Sequence, residues 1–299
     1  TTLFRSMAIY VIGYPLGGVI GGLVAQTWLL PNYDWRAVFL FGAVVTAAMI
    51  PLVALLVPET PAFFSATRPA DAVVRINRSL AAFGKPPIAA LPAIEPGAPR
   101  PKLTDILSNP RLRPVTLLLA FGYMFHTITF YYILKWSPKI VADFGFAAPQ
   151  AASVLVWANV GGATGGALFG FLMHRFGIKW PTIVMLLLGA AAVAVFGLGG
   201  SDTTLVGWRF AVFCTGFATN AAIVGFYSAF AHGFPAHVRA TGTGFAIGAG
   251  RIGAAGSPIL AGDLFAKAGF SLFTVSLIMA CGSVMAAALM LMLALKEAD

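Results

Sequence analysis

Charge is scarce in this chain. Asp, Glu, Lys and Arg make up 10% of its 299 residues, against roughly 25% in soluble domains. A soluble protein of this length buries a core but still needs a charged coat, and too few charges are present to make one. Lipid must therefore be part of the solvent. Acids are the rarer sign, with 10 Asp and Glu against 19 Lys and Arg, and none falls clearly inside an apolar run. The two cysteines, Cys214 and Cys281, lie far apart in apolar runs. That excludes a disulfide framework and metal-ligand spacing, so both are expected to pack. No nucleophile–base pair and no phosphate-cradling loop is spaced for chemistry. The chain is read as no enzyme, with no metal and no cofactor.

What is present is apolar sequence, 59% of the residues. A bilayer core needs about 20 apolar residues per helix. Eight runs qualify: 7–30, 35–57, 114–134, 151–173, 180–200, 205–230, 239–261 and 270–295. They lack the two-residue alternation of barrel strands. The expected fold is all-α, a polytopic membrane helix bundle.

The placement of the bases orients it. With both ends and the polar stretch 62–113 on one side, that side holds Arg5, Arg68, Arg75, Arg78, Lys85, Arg100, Lys102, Arg111, Arg113, Arg175, Lys179, Arg239 and Lys296. The other side holds Arg36, Lys135, Lys139, Arg209 and Lys267. The positive-inside rule makes the first side cytoplasmic and the membrane an inner, plasma membrane. This asymmetry also accounts for the net charge of +9, so no nucleic-acid partner is needed. Within 62–113, residues 70–83 are predicted to form a surface helix ended by Gly84. Residues 85–101, with six prolines, read as an extended linker, and Leu103–Leu107 as a short interfacial turn.

Arg251 stands out because it lies inside a run. A helix starting near Val238 places it roughly 20 Å along the axis, past the bilayer middle. A charge there is costly and faces a cavity or a partner. Gly244, Gly248, Arg251 and Ala255 share a face, and such small residues are expected to admit a neighbouring helix. An organic carboxylate is a natural partner for the guanidinium; a structural arginine bonded to helix carbonyls is the alternative. The run 121–132 is unusually aromatic. Helical spacing groups Tyr123, His126, Thr127 and Phe130 on one face; Phe121, Phe125, Ile128 and Tyr132 form another that is expected to pack. His126 is the one histidine well inside a run, read either as a ligand or proton contact or as an interhelical bond. Trp157 and Asn159 sit among Gly161, Gly162, Gly165 and Gly166, and Asn220 shares a face with Gly216 and Tyr227. Interhelical bonding or a cavity role suits either asparagine. Gly13, Gly17, Gly18, Gly21, Gly22 and Pro15 favour close packing and a kinked first span.

Six runs after a basic polar stretch suggest one half of a twelve-span carrier built from two six-span halves. Between the second and third of those six stands Gly170-Phe-Leu-Met-His174-Arg175-Phe-Gly177-Ile-Lys179. This resembles the loop motif of the major facilitator superfamily, with His174 where the motif has an acid. Pro58-Glu59-Thr60-Pro61 and Trp35-Arg36 resemble further pieces of that family. Phe234-Pro235 through Arg239, Thr241, Gly242 and Gly244, then Gly250-Arg251-Ile-Gly253, resembles its aromatic acid:proton symporter branch, including arginines twelve residues apart. The resemblance implies a major facilitator fold with eight of twelve transmembrane helices present. Residues 1–61 would be the last two spans of the amino-terminal half, packing poorly without the rest of it. Residues 62–113 would be a cytoplasmic linker and 114–299 the six-span carboxy-terminal half. It implies proton-coupled uptake of a small aromatic carboxylate by alternating access, in a monomer whose partners are the organic anion, protons and the bilayer. Arg251 would receive the carboxylate, with Tyr123, Phe130 and Trp157 around the ring and His126, Asn159, Asn220 and Tyr227 nearby. Gly170, His174, Arg175, Gly177, Lys179 and Arg239 would gate or anchor the cytoplasmic side, and the main proton carrier is expected in spans that precede the chain. A sugar-type or other metabolite porter, a non-transporting membrane scaffold and, more distantly, a membrane enzyme remain alternatives.

Overall fold

The computed structural model describes residues 13, 15–57, 59, 61–82, 84–91, 103–235 and 238–293. Among these, every regular element is helical. Residues 15–32 form α1, which includes a π-helical turn at Ala25–Leu29. There follow α2 (Trp35–Leu56), α3 (Pro61–Thr67), α4 (Ala72–Ala82), α5 (Leu103–Ser108), α6 (Leu112–Asp143), α7 (Ala148–Phe176), α8 (Lys179–Phe196), α9 (Leu205–Gly233), α10 (Arg239–Ala266) and α11 (Leu272–Met292). Each apolar run from 35 onward thus coincides with one helix. The start of the first run, with Tyr14, lies outside the described residues, as do Pro58, Thr60, Phe83 and the prolines from Pro92 to Pro101. Six helices (α2, α6, α7, α8, α9 and α11) are long and apolar enough to cross a membrane. The 28-residue α10, rich in glycine and carrying Arg251, is not among them.

Local chemistry sets the ends. The Thr204 hydroxyl accepts from Gly207 N–H at 3.2 Å and opens α9. Ser271 does the same for α11, accepting from Thr274 N–H at 3.3 Å. Gly84, Gly145, Gly177 and Gly269 stop helices with φ between 62° and 91°, a region that side-chain-bearing residues avoid.

The chain divides into two compact units, one of Thr1–Asn32 with Pro101–Asp299 and one of Tyr33–Arg100. In the second unit, α2 has no buried residue. Phe64, Ala72 and Ile76 form a small core with Leu80, Ile88 and Leu91. Asn77 clips the following segment back onto α4, accepting from Ile88 N–H at 2.8 Å and donating to its carbonyl at 3.0 Å. Arg75 bonds Asp71 at 2.6 Å and holds that carboxyl below its usual range.

In the first unit the helices meet backbone to backbone. A Cβ at Gly161 or Gly165 on α7 would strike the carbonyl of Phe213 or Phe217 on α9, and one at Gly216 would strike that of Ala158. Gly253 presses on the Met124 carbonyl and Gly282 on that of Phe125, bringing α10 and α11 onto α6. Gly18 and Gly22 of α1 sit on Asn159 and Val156 of α7, but Leu16, Ile20, Leu23 and Trp28 stay exposed, so the described part of the first run meets the bundle along one narrow strip. Lipid tails are as apolar as leucine, so such close approach, with interhelical hydrogen bonds, holds a membrane bundle together. Those bonds are present. Thr129 donates to the Met279 carbonyl at 2.6 Å and accepts from Ser283 N–H at 2.9 Å. Tyr132 and Ser276 hydroxyls are 2.8 Å apart. The expected second packing face of α6 is only partly packed: Tyr132 is fully buried, but Phe121 is exposed. Cys281 is likewise exposed rather than packed, while Cys214 is half-buried.

Gly253→Ala is expected to destabilise the protein by about 1–3 kcal/mol through overpacking against α6. Gly256→Ala, on the same helix with nothing within 4 Å of its new methyl, should be neutral or slightly stabilising. Thermal unfolding in detergent reads both; equal melting of the two variants would refute the glycine seam.

Candidate functional site

The site is built on the pair α6–α10. Gly250 lies against the Tyr123 ring and Gly253 against Met124 and Thr127. The Thr127 hydroxyl is shared between the Met124 carbonyl at 2.7 Å and the Gly250 carbonyl at 2.9 Å. Ser257 donates to the Ile128 carbonyl at 2.7 Å, and Trp136 to that of Pro258 at 3.2 Å. With Gly250 and Gly253 turned onto α6, the 100° step of the helix turns Arg251 away from that seam. Arg251 is exposed, and its Nη1 donates to the Tyr131 hydroxyl at 3.3 Å. Gly244 and Gly248 would admit a Cβ with nothing within 4 Å. The expectation that the Gly244, Gly248, Arg251, Ala255 face takes a neighbouring helix is therefore corrected for the described residues. The neighbour docks on Gly250 and Gly253, and the arginine's face is uncovered.

The aromatic run divides. Tyr123 is buried, its ring edge-on to Phe226 and Phe230 and its hydroxyl 3.3 Å from that of half-buried Tyr227. His126 is fully buried and uses both ring nitrogens. Nε2 lies 2.9 Å from the Thr219 carbonyl and Nδ1 2.9 Å from the Ser283 hydroxyl. A carbonyl only accepts, so Nε2 carries the proton and Nδ1 accepts from Ser283. His126 thus ties α6 to α9 and α11, with its ring stacked on Phe226.

A small cleft opens beside these residues, lined by Pro15, Phe130, Asn159, Gly162, Thr219 and Asn220 among others. It has room for about one water molecule, so the described residues alone do not enclose an aromatic ring. Asn220 crosses to donate to the Gly162 carbonyl at 2.7 Å, whereas Asn159 bonds Leu155 on its own helix at 2.8 Å. The structure brings Phe130, Asn159 and Asn220 together here. Trp157 is exposed on α7 and does not line the cleft.

The loop motif closes α7. Gly170 is half-buried, His174 and Arg175 are exposed in the last turn, and Arg175 lies 5.8 Å over the Phe176 ring. Gly177, with φ of 73°, turns the chain. Lys179 donates to the Leu291 and Leu293 carbonyls at 2.8 and 2.9 Å, completing the carboxy-terminal end of α11, where carbonyls lack helical partners. Sequence reasoning missed this: no spacing links a lysine to carbonyls more than a hundred residues away. Arg239 makes a local bond to the Phe234 carbonyl at 3.3 Å. Tyr131 was also missed as a site residue, although the aromatic run contains it.

Comparison with known proteins agrees with this architecture. The chain is 29% identical over 268 residues to a gallate transporter of Pseudomonas putida, covering 86% of this chain and 57% of the relative. It is 28% identical over 266 residues to a 3-(3-hydroxy-phenyl)propionate transporter of Escherichia coli, covering 88% and 57%. It is 26% identical over 268 residues to a benzoate transport protein of Acinetobacter baylyi, covering 87% and 56%. The chain thus spans a little over half the length of these relatives. A family profile, that of the Major Facilitator Superfamily, matches residues 5–258. With membrane-length helices joined at glycine seams and a profile match across most of its length, this multi-pass membrane protein belongs to the Major Facilitator Superfamily.

Proposed function

We propose that the chain forms part of a secondary active transporter that imports a small aromatic carboxylate with protons by alternating access. Residues 1–61 supply the last two spans of an amino-terminal half, 62–113 a cytoplasmic linker and 114–299 a six-span carboxy-terminal half. The observation that carries the reading is Arg251. It is a cation well inside a 28-residue helix, on an uncovered small-residue face. Its one hydrogen-bond partner among the described residues is a phenol. An intramembrane charge of this kind is costly unless it lines an aqueous path or meets a counter-ion. A carboxylate satisfies it through two parallel N–H bonds. Relatives named for gallate, benzoate and a hydroxyphenylpropionate transport anions of that chemistry. Phe130, Asn159 and Asn220 supply one wall for the ring, backed by Tyr123 and Tyr227. His126 holds that wall by tying Thr219 and Ser283 to α6. The distribution of basic residues supports an inner-membrane location with both ends cytoplasmic.

Orientation is checked with a membrane-impermeant maleimide in a cysteine-free background. Lys85→Cys should label only after permeabilisation, whereas Asp202→Cys, exposed between α8 and α9, should label in intact cells. The reverse pattern would reject the topology.

The substrate class is checked in the complete gene product carrying this chain. Arg251→Ala should lower benzoate binding at least tenfold, since a hydrogen-bonded charge pair contributes about 1.5–3 kcal/mol. Binding of neutral benzamide should not change. Arg251→Lys should recover little, because an ammonium lacks the planar fork. Equal loss of both ligands, or no loss, would remove the anion reading. His126→Leu gives a contrasting forecast: it leaves the Thr219 carbonyl and the Ser283 hydroxyl without their partner and should lower the melting temperature first. Protein that survives should still bind benzoate.

A further inference from the structure

We infer that Tyr131 is the second donor of the carboxylate receptor, so that the anion is held by a mixed guanidinium–phenol pair rather than by Arg251 alone. The inference rests on the reading above that Arg251 meets a carboxylate, and goes beyond it in assigning a specificity residue. Arginine has no acceptor, so in the 3.3 Å contact Nη1–H must donate and the Tyr131 oxygen must accept. The phenol's own proton is then left over, and no other hydrogen bond engages it among the described residues. An N–H donor and an O–H donor meeting at one oxygen leave the remaining guanidinium N–H groups and the Tyr131 O–H on neighbouring positions. That arrangement matches the two oxygens of a carboxylate. A neutral amide presents only one acceptor oxygen to the two donors and carries no charge to pair with the guanidinium.

Placement adds a second argument. Tyr131 and Arg251 are carried by α6 and α10, which are fastened to each other on both sides of the pair. Thr127 donates to the Gly250 carbonyl, Ser257 to the Ile128 carbonyl and Trp136 to the Pro258 carbonyl. Gly250 and Gly253 remove any side chain that would hold the helices apart. The level and spacing of the two backbones that carry the donors are therefore set by the helix pair. Such preorganisation saves ordering cost when the anion binds. Tyr131 is itself positioned by Phe130, whose ring lies 5.3 Å away and edge-on at 87°. Phe130 also lines the cleft. The carboxylate end and the ring wall are thus adjacent residues of one helix turn.

The test uses the complete gene product and two probes, benzoate and benzamide. Tyr131→Phe removes one hydroxyl and keeps the ring. It should weaken benzoate binding about tenfold, the loss expected for one hydrogen bond to a charged group, and leave benzamide binding and the melting temperature unchanged. In the Arg251→Ala background the same substitution should add less than threefold, because the two donors act on one ligand group. If Arg251→Ala weakens benzoate binding and Tyr131→Phe does not, the mixed pair is overturned while the arginine reading stands. If Arg251→Ala is also without effect, the underlying reading falls. A melting temperature lowered together with equal loss of both probes marks Tyr131 as structural and overturns the inference. The unmutated protein gives an independent readout that needs no variant. Saturating benzoate, but not benzamide, should protect Tyr131 from nitration by tetranitromethane, scored by mass spectrometry of the 112–143 peptide. Equal nitration with either probe overturns it.

Discussion

In hydrocarbon no hydrophobic force presses one helix on another, so the distance between helix backbones is the quantity everything else depends on. Here that distance is set by glycine. At Gly161, Gly165 and Gly216 the facing carbonyl occupies the space a Cβ would take, and at Gly253 and Gly282 the same is true against α6. Close approach brings side-chain hydroxyls within reach of carbonyls on the next helix. Thr127, Thr129, Ser257 and Asn220 all bond across a helix pair. Dispersion and hydrogen bonding reinforce one another at the same positions.

The candidate site follows from that constraint. Because Gly250 and Gly253 face α6, Arg251, about 100° round the helix from Gly250, must face elsewhere. Because Thr127 and Ser257 lock the two helices in register, Arg251 and Tyr131 come to the same level. His126 has the opposite fate. It sits where α6, α9 and α11 converge, and each ring nitrogen finds a partner there. The two ionisable groups that stand inside apolar runs, His126 and Arg251, therefore differ in kind. One is consumed by packing and the other stays exposed.

The loop between α7 and α8 shows the same economy of contacts. Gly177 turns the chain so that Lys179 reaches back to the last carbonyls of α11. A lysine that the sequence offers only as a charge thus closes a helix end by its geometry.

By itself the sequence determined the helical class, the position of each helix from residue 35 onward that holds an apolar run, and the family motifs, because run length, charge scarcity and glycine-ended helices are local properties. It also marked Arg251, since a charge inside an apolar run is visible without a fold. It favoured Gly244 and Gly248 for the contact of α10, where nothing among the described residues lies within 4 Å of an added Cβ, because a helix with glycine on several faces has no readable interface. Only the tertiary structure decided that Gly250 and Gly253 make the contact. It also decided that His126 is fully bonded, that Trp157 stands apart from the cleft, and that Tyr131 meets Arg251 across 120 residues of chain. Each of these depends on the angle and level at which two distant helices cross, and no periodicity within one helix encodes that.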